Sequence, residues 1–305
     1  MESICIRLKQ WQRWERSSGG FTLLEAIVAA GLTSLATAVI FVSVLTVRDG
    51  YVNDVHRTRI NSNLRSAMDI LSMHIRQAGE YLPALFPAVE VLDGGTSSDE
   101  LVLRRGLISE VLTLCEDAVA GSTVLVLSSG DLTDSACYVN NVAPTFHTFV
   151  EHLNGSESGV LRLLIFNRIA LTYEMIEVQE ANVFGNEYRF TIDTLQATYP
   201  RISTTIYLVE EMQFSRSVEQ ESLTVRANHI SEEARALAFH VDLFNVSLIM
   251  SDESTATEFE LSSTETWKEI KKIAIQLTGS DAFKGQEFSS SISGEFFPRN
   301  VLSYD

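Results

Sequence analysis

The sequence predicts an α+β chain: a long N-terminal helix, membrane-spanning in its first half, packed on a β-rich globular domain. Three observations carry this. An apolar run follows a short basic segment at the start of the chain. Helical periodicity then continues to about residue 79. From Pro87 onward the pattern turns to short β-type runs separated by turn residues.

The apolar run covers residues 21–47, FTLLEAIVAAGLTSLATAVIFVSVLTV, with one ionisable group, Glu25, and no proline. At roughly 1.5 Å per residue its 27 residues reach about 40 Å, more than the roughly 30 Å hydrocarbon core of a bilayer. Residues 1–20 carry Arg7, Lys9, Arg13 and Arg16 against Glu2 and Glu15, a balance of +2. The 305-residue chain has a net charge of −17, which leaves −19 for the remainder. Positive charge ahead of the span puts residues 1–20 in the cytoplasm and the body outside. So acidic a body argues against general nucleic-acid binding, which relies on neutralising phosphates.

A secretory signal places its small-residue cleavage site after the apolar core. Here Gly19-Gly20 come first, so a cut between Gly20 and Phe21 leaves the apolar helix on the mature chain. A carboxylate near the centre of a membrane helix costs roughly 2.5–3.5 kcal/mol and usually marks a function. After that cut Glu25 is the fifth residue, about one helical turn from a new α-amine at Phe21. In a bundle of staggered helices, one subunit's carboxylate can pair with a neighbour's amine. The plainer alternative is a single-span anchor that tolerates a glutamate near its end.

Gly20-Phe21-Thr22-Leu23-Leu24-Glu25, with the basic leader before it and the apolar helix after it, resembles the cleavage and methylation motif of type IV prepilins and type II secretion pseudopilins. The resemblance implies that a prepilin peptidase cuts after Gly20 and methylates the amine of Phe21, and that Glu25 aligns subunits during assembly. It implies a leader at 1–20, a helix at 21–79 with 21–47 transmembrane, and a pilin-like domain at 80–305. The chain would then cross the bacterial inner membrane once, with its N-terminus cytoplasmic and its C-terminal domain periplasmic, before entering a pilus or pseudopilus. The leader is on the long side for this group.

Past the apolar run, Val52, Val55, Ile60, Leu64, Ala67, Leu71, Ile75 and Ala78 recur at mostly three- and four-residue spacing, a stripe that reads as core, with Gly79 and Pro83 as terminators. Expected strands are 88–92, 100–105, 110–114, 123–128, 160–166, 170–178, 187–192, 204–210, 223–226, 238–249, 271–277 and 289–297. Asp93-Gly94-Gly95, Ser129-Gly130-Asp131, Asn154-Gly155 and Gly185-Asn186 read as turns, and the polar stretch 251–266 as a solvated loop.

Cys115 and Cys137 lie 22 positions apart without a partner histidine at metal-ligand spacing. In an oxidising compartment they can close a disulfide, worth roughly 3 kcal/mol in the chain-entropy model; otherwise they are two buried thiols. The sequence holds no GxSxG, HExxH or phosphate-cradling GxxxxGK[ST] pattern, and its six histidines are scattered. Pairs such as Glu116-Asp117 and Glu210-Glu211 lack the spaced ligands of a calcium loop. The reading is therefore of a protein that is not an enzyme and has no cofactor or metal.

Two further stretches carry a looser resemblance. Residues 59–79, through Ile75-Arg76-Gln77-Ala78-Gly79, resemble the helix end of PilW-type minor pilins and GspJ-type pseudopilins. Trp267, the run 271–277 and Phe297-Pro298-Arg299-Asn300 resemble the ending of the same group. Length favours the PilW type, and residues 85–200 resemble no group. The implied function is a minor pilin that primes or caps a type IV pilus. The alternatives are a minor pseudopilin of type II secretion, or a tip-located module for adhesion or DNA uptake. Implied partners are the prepilin peptidase, other minor pilins or pseudopilins, the major pilin and the inner membrane.

Overall fold

The computed structural model describes residues 22–129, 137, 139–156, 159–228, 233–260, 267–283 and 286–300. The expected leader, Gly20, Phe21, Gly130, Asp131 and residues 261–266 lie outside the described residues. The elements are α1 (Leu23–Gln77), β1 (Val89–Leu92), β2 (Glu100–Gly106), β3 (Leu112–Thr113), β4 (Val124–Val126), α2 (Val139–Gly155), β5 (Leu161–Asn167) and β6 (Thr172–Phe184). They continue with β7 (Glu187–Ile192), β8 (Thr204–Ser217), β9 (Ser222–Ala227), β10 (Arg235–Phe239), β11 (Leu243–Met250), β12 (Thr255–Ala256), a 3₁₀ turn (Trp267–Glu269), β13 (Ile270–Phe283) and β14 (Gln286–Phe296). A long apolar helix followed by antiparallel sheets makes the chain α+β. It divides between Val55 and His56 into two units.

The first unit is helical from Leu23, and residues 22–51 are exposed throughout. The second unit takes the end of α1 into its core. Ile60, Leu64, Ala67, Met68, Leu71 and Ile75 are buried, a stripe at three- and four-residue spacing. Val52 and Val55, expected on the same stripe, are partly or largely exposed, so burial starts one to two turns later than the sequence pattern.

β8 organises the larger, ten-stranded sheet. Its first half pairs with β5 on one side, from Asn167↔Thr204 to Leu163↔Leu208, and with β3 on the other. Its second half pairs with β2, from Gly106↔Val209 to Leu101↔Phe214, and with β9. The smaller sheet has the order β12-β11-β13-β14. Its inward residues, among them Phe244, Val246, Leu248, Ile273, Ile275 and Leu277, join the α1 stripe and β1, β2 and β9 in one core. A second core lies between α2 and β4, β5, β6 and β7. A third covers the opposite face of β5, where Leu164 and Phe166 meet Leu82 and Phe86. β5 is thus buried on both faces, consistent with its nearly continuous apolar sequence.

Several elements differ from the sequence pattern. Helix α2 stands where no helix was expected, and Asn154-Gly155 close it rather than form a free turn. Its signal is the spacing of Val142, Phe146, Phe149 and Leu153, all buried in the second core. The expected strand 238–249 is two strands, broken at His240 with φ 62°. β8 and β13 run well past their expected ends, carried by cross-strand pairing that a single-strand pattern does not reveal. Thr255–Ala256 in the polar loop makes a short strand against β11.

The sheet is crossed by a row of alternating charge. Glu90 on β1, Arg104 on β2, Glu211 on β8, Arg162 on β5 and Glu177 on β6 lie on successive strands. Arg104 is only 4% exposed; its Nη2 donates to Glu90 at 2.5 Å and its Nε to Glu211 at 2.7 Å. Arg162 reaches Glu211 at 2.9 Å and Glu177 at 3.2 Å. A buried guanidinium held by two carboxylates is tolerable, while removing one partner strands the charge at a cost of roughly 3–5 kcal/mol. The next pair along, Arg105 with Glu210, is set beside His74 of α1. Burial holds the His74 ring below its ordinary pKa despite the Glu210 charge.

The end of α1 is fixed by groups from three distant segments. Asn300 donates to the carbonyls of Ala78 at 3.0 Å and Gln77 at 3.5 Å, satisfying oxygens the helix leaves without partners. Arg105 Nη1 donates to the Gln77 side chain at 2.7 Å, and the Gly79 amide to the Arg104 carbonyl at 2.8 Å. Gly79 has φ 80°, the left-handed helix end that glycine favours. The Trp267 ring lies directly over it, 2% exposed, with its indole N–H donating to the Ala84 carbonyl at 2.9 Å. A Cβ at Gly79 would clash with the edge of the Trp267 ring, whereas at Gly121, φ 90°, a Cβ meets nothing within 4 Å.

Gly79→Ala therefore carries both backbone strain and a clash, and Gly121→Ala the strain alone. Chemical denaturation of the two variants should show a loss of about 1–2 kcal/mol for Gly121→Ala and about 1–3 kcal/mol more for Gly79→Ala. Equal losses would remove the Trp267 seat from the account.

Candidate assembly site

Between Leu23 and Val47, α1 presents apolar side chains in every direction, and all are exposed. By length and composition the helix is long and apolar enough to cross a membrane. Its hydroxyl groups are also suited to an apolar medium. Thr33 donates to Ala29 O at 2.6 Å, Ser34 to Ala30 O at 2.8 Å and Thr37 to Thr33 O at 2.7 Å. Ser43 donates to Val39 O at 2.9 Å and Thr46 to Val42 O at 3.0 Å. Each polar hydrogen is thus spent on a carbonyl one turn back, and no water is needed to satisfy it.

Glu25 is the one ionisable group in this stretch, and the helix start explains where its carboxylate goes. The Thr22 amide and the Thr22 hydroxyl both donate to Glu25 Oε2 at 3.0 Å, while the Glu25 amide donates to Thr22 Oγ1 at 3.3 Å. This reciprocal pair is a capping box, Thr at the N-cap and Glu three residues on. It satisfies orphan donors of the first turn and sets a negative charge at the positive end of the helix dipole. Among the described residues the other oxygen, Oε1, takes no hydrogen bond, so Glu25 holds the cap with one oxygen and keeps the second open. The box is legible in the sequence as Thr22-Leu23-Leu24-Glu25, a capping role additional to the one the resemblance implies for Glu25.

The remaining site residues lie elsewhere. Gly20 and Phe21 are outside the described residues. Cys115 and Cys137 are joined, Sγ to Sγ at 2.13 Å with Cα atoms 5.1 Å apart, and both are buried. The Cys115 amide donates to Val126 O and the Ser129 amide to Cys137 O, so the bridge ties its loop to the segment around β4. A polar groove of about 640 Å³ runs over the outward face of β11, β13 and β14. Its carboxylates are occupied: Asp99 by the amides of Gly94 and Val246, Asp93 by the Gly95 amide, and Glu295 by Lys272. Among the described residues no group of three or more His, Cys, Asp and Glu side chains is gathered to hold a metal ion.

No protein-family model, no curated protein and no solved structure matches the chain.

The capping box makes Thr22→Val and Glu25→Ala complementary, the first freeing the residue-25 amide and the second the Thr22 amide, while Glu25→Gln preserves both halves. In the detergent-solubilised chain, amide exchange should accelerate about fivefold at residue 25 in Thr22→Val and at residue 22 in Glu25→Ala, for about 1 kcal/mol of lost cap, and stay near the unaltered rate at both in Glu25→Gln. Unchanged exchange in Thr22→Val would show that the box does not hold the first turn.

Proposed function

We propose that this chain is a prepilin-like minor pilin of PilW type, assembled through α1 into a type IV pilus whose growth it primes or caps. The reading starts from the motif Gly20-Phe21-Thr22-Leu23-Leu24-Glu25 between a +2 leader and an apolar helix. The leader stays in the cytoplasm while the helix enters the inner membrane with the globular unit on the periplasmic side. The prepilin peptidase cuts between Gly20 and Phe21 and methylates the new amine. Entry into the filament then exchanges lipid around α1 for the helices of other minor pilins and the major pilin.

The observation that carries this reading is the state of Glu25. A carboxylate in an apolar helix needs a partner or it raises the cost of insertion. The capping box supplies partners to Oε2 only, and Oε1 remains open about one helical turn from the proposed amine of Phe21. A neighbouring subunit's amine fits that vacancy as a charge-assisted hydrogen bond in a medium of low dielectric. The cap and the docking role are compatible, since each uses a different oxygen. The chemistry involves no substrate turnover and no cofactor.

Glu25→Gln separates the two roles, keeping the cap and removing the charge. In cells it should be processed like the unaltered chain and recovered in sheared filaments at about one tenth of the normal amount or less, for the loss of one buried charge pair. Normal recovery would remove the docking role. Gly20→Ala should accumulate as a slower-migrating precursor; normal mobility with a mature Phe N-terminus would remove the cleavage assignment.

A further inference from the structure

The globular unit keeps its charges apart. Residues 56–77 of α1 carry four arginines and one aspartate, whereas residues 78–305 carry 14 basic and 34 acidic side chains, a net of −20. In the sheets, Arg104, Arg105, Arg162, Arg189, Lys271 and Lys272 all pair with glutamates. The helix behaves differently. Arg59, Arg65 and Arg76 are exposed, and none makes an ion pair or hydrogen bond among the described residues.

These arginines lie on the side of α1 away from its buried stripe. At about 100° per residue, Arg65 and Arg76 fall almost on one line, Arg59 lies roughly a third of a turn round, and Ser62, Ser66, Met73 and the exposed Asp69 fall between, so the strip carries three arginines against one aspartate. Met73 is 49% exposed, an apolar spot about one turn from Arg76 on one side and from Asp69 on the other. A partner for such a strip should bring an apolar side chain flanked by carboxylates, because guanidinium forks bind carboxylates in plane.

The β8–β9 turn has that composition. Val218 is 72% exposed at its tip, with Glu219 and Glu221 exposed beside it. Neither carboxylate makes an ion pair or hydrogen bond among the described residues. The tip is held in shape by its hairpin, Ser217 opposite Ser222, and by the Val241 amide donating to Glu221 O at 3.0 Å. We propose that the β8–β9 tip of a second copy of this chain docks on the arginine face of α1, Val218 against Met73 and Glu219 and Glu221 against Arg65 and Arg76.

A finite acidic projection suits this strip better than a continuous polyanion. A nucleic-acid duplex or an anionic membrane extends beyond the arginines and meets the acidic body around them. With a Debye length of about 8 Å at physiological salt, repulsion between two acidic bodies acts mainly across the contact, where local pairing decides. The two surfaces are different parts of one chain, so the contact is heterologous and leaves a free face and a free tip at the ends of a row. It does not depend on leader removal and is independent of the processing chemistry.

The test is a charge swap on the full-length, unprocessed chain in detergent, with self-association followed by sedimentation. The unaltered chain should associate, and raising NaCl from about 50 to about 500 mM should weaken association about tenfold or more. R65E/R76E and E219R/E221R should each lose association by a similar factor at unchanged thermal midpoint, and mixing the two variants should restore it. Three results would overturn the contact: no salt-sensitive association of the unaltered chain, association that survives either charge reversal, or no recovery on mixing. Binding of duplex DNA or of phosphatidylserine vesicles that R65E/R76E abolishes, without the swap recovery, would assign the face to a phosphate partner and overturn it as well.

Discussion

Ile60, Leu64, Ala67, Leu71 and Ile75 are at most 1% exposed, and the globular unit is arranged around them. A helix that lends a whole stripe to a core cannot be a detachable tether. Its removal would uncover the inward faces of β1, β2, β11 and β13 together, apolar area worth roughly 1.5–3 kcal/mol for each large side chain. The same constraint explains why the end of α1 is held by Asn300, Arg105 and Trp267, which come from widely separated parts of the sequence. A helix that is core must stop in one place and point in one direction. Gly79, the capping carboxamide and the stacked indole set both.

The charge row across the sheet serves the same requirement by other means. β8 joins two halves of the sheet whose cores face different helices, and Arg104 and Glu211 lie where those halves meet. A buried guanidinium with carboxylates on both neighbouring strands penalises a register slip, because moving one strand by a residue sends every charge to the other face. The pairs Arg104↔Glu211 and Arg162↔Glu177 are directly opposed in the strand register, where cross-strand attraction is greatest.

Much of this was legible in the sequence, for physical reasons that also explain what was not. The apolar run, the α1 stripe and most strands follow from local periodicity, which one segment carries by itself. Gly79 reads as a helix end because its backbone role is local, but the Trp267 ring above it is 188 positions away and left no local mark. The extra length of β8 and β13 comes from partners across the sheet, and the break at His240 from a backbone angle that histidine seldom adopts. Helix α2 was legible in the spacing of Val142, Phe146, Phe149 and Leu153, yet its interior Pro144 and its short polar interruptions argue against a helix when read singly. At the site, the Thr22–Glu25 box was present in the sequence. The open Oε1 was not, since it depends on which oxygen the cap takes.

Glu25 caps its own helix through Oε2 and keeps Oε1 open. On the proposed reading the second oxygen meets a neighbouring chain's amine at its depth, which requires a new N-terminus at Phe21. The most direct measurement is the intact mass and N-terminal sequence of the chain recovered from native membranes. The account predicts a mature species that begins at N-methylated Phe21 and lacks residues 1–20. A chain that retains Met1, or begins at any residue other than Phe21, would contradict it.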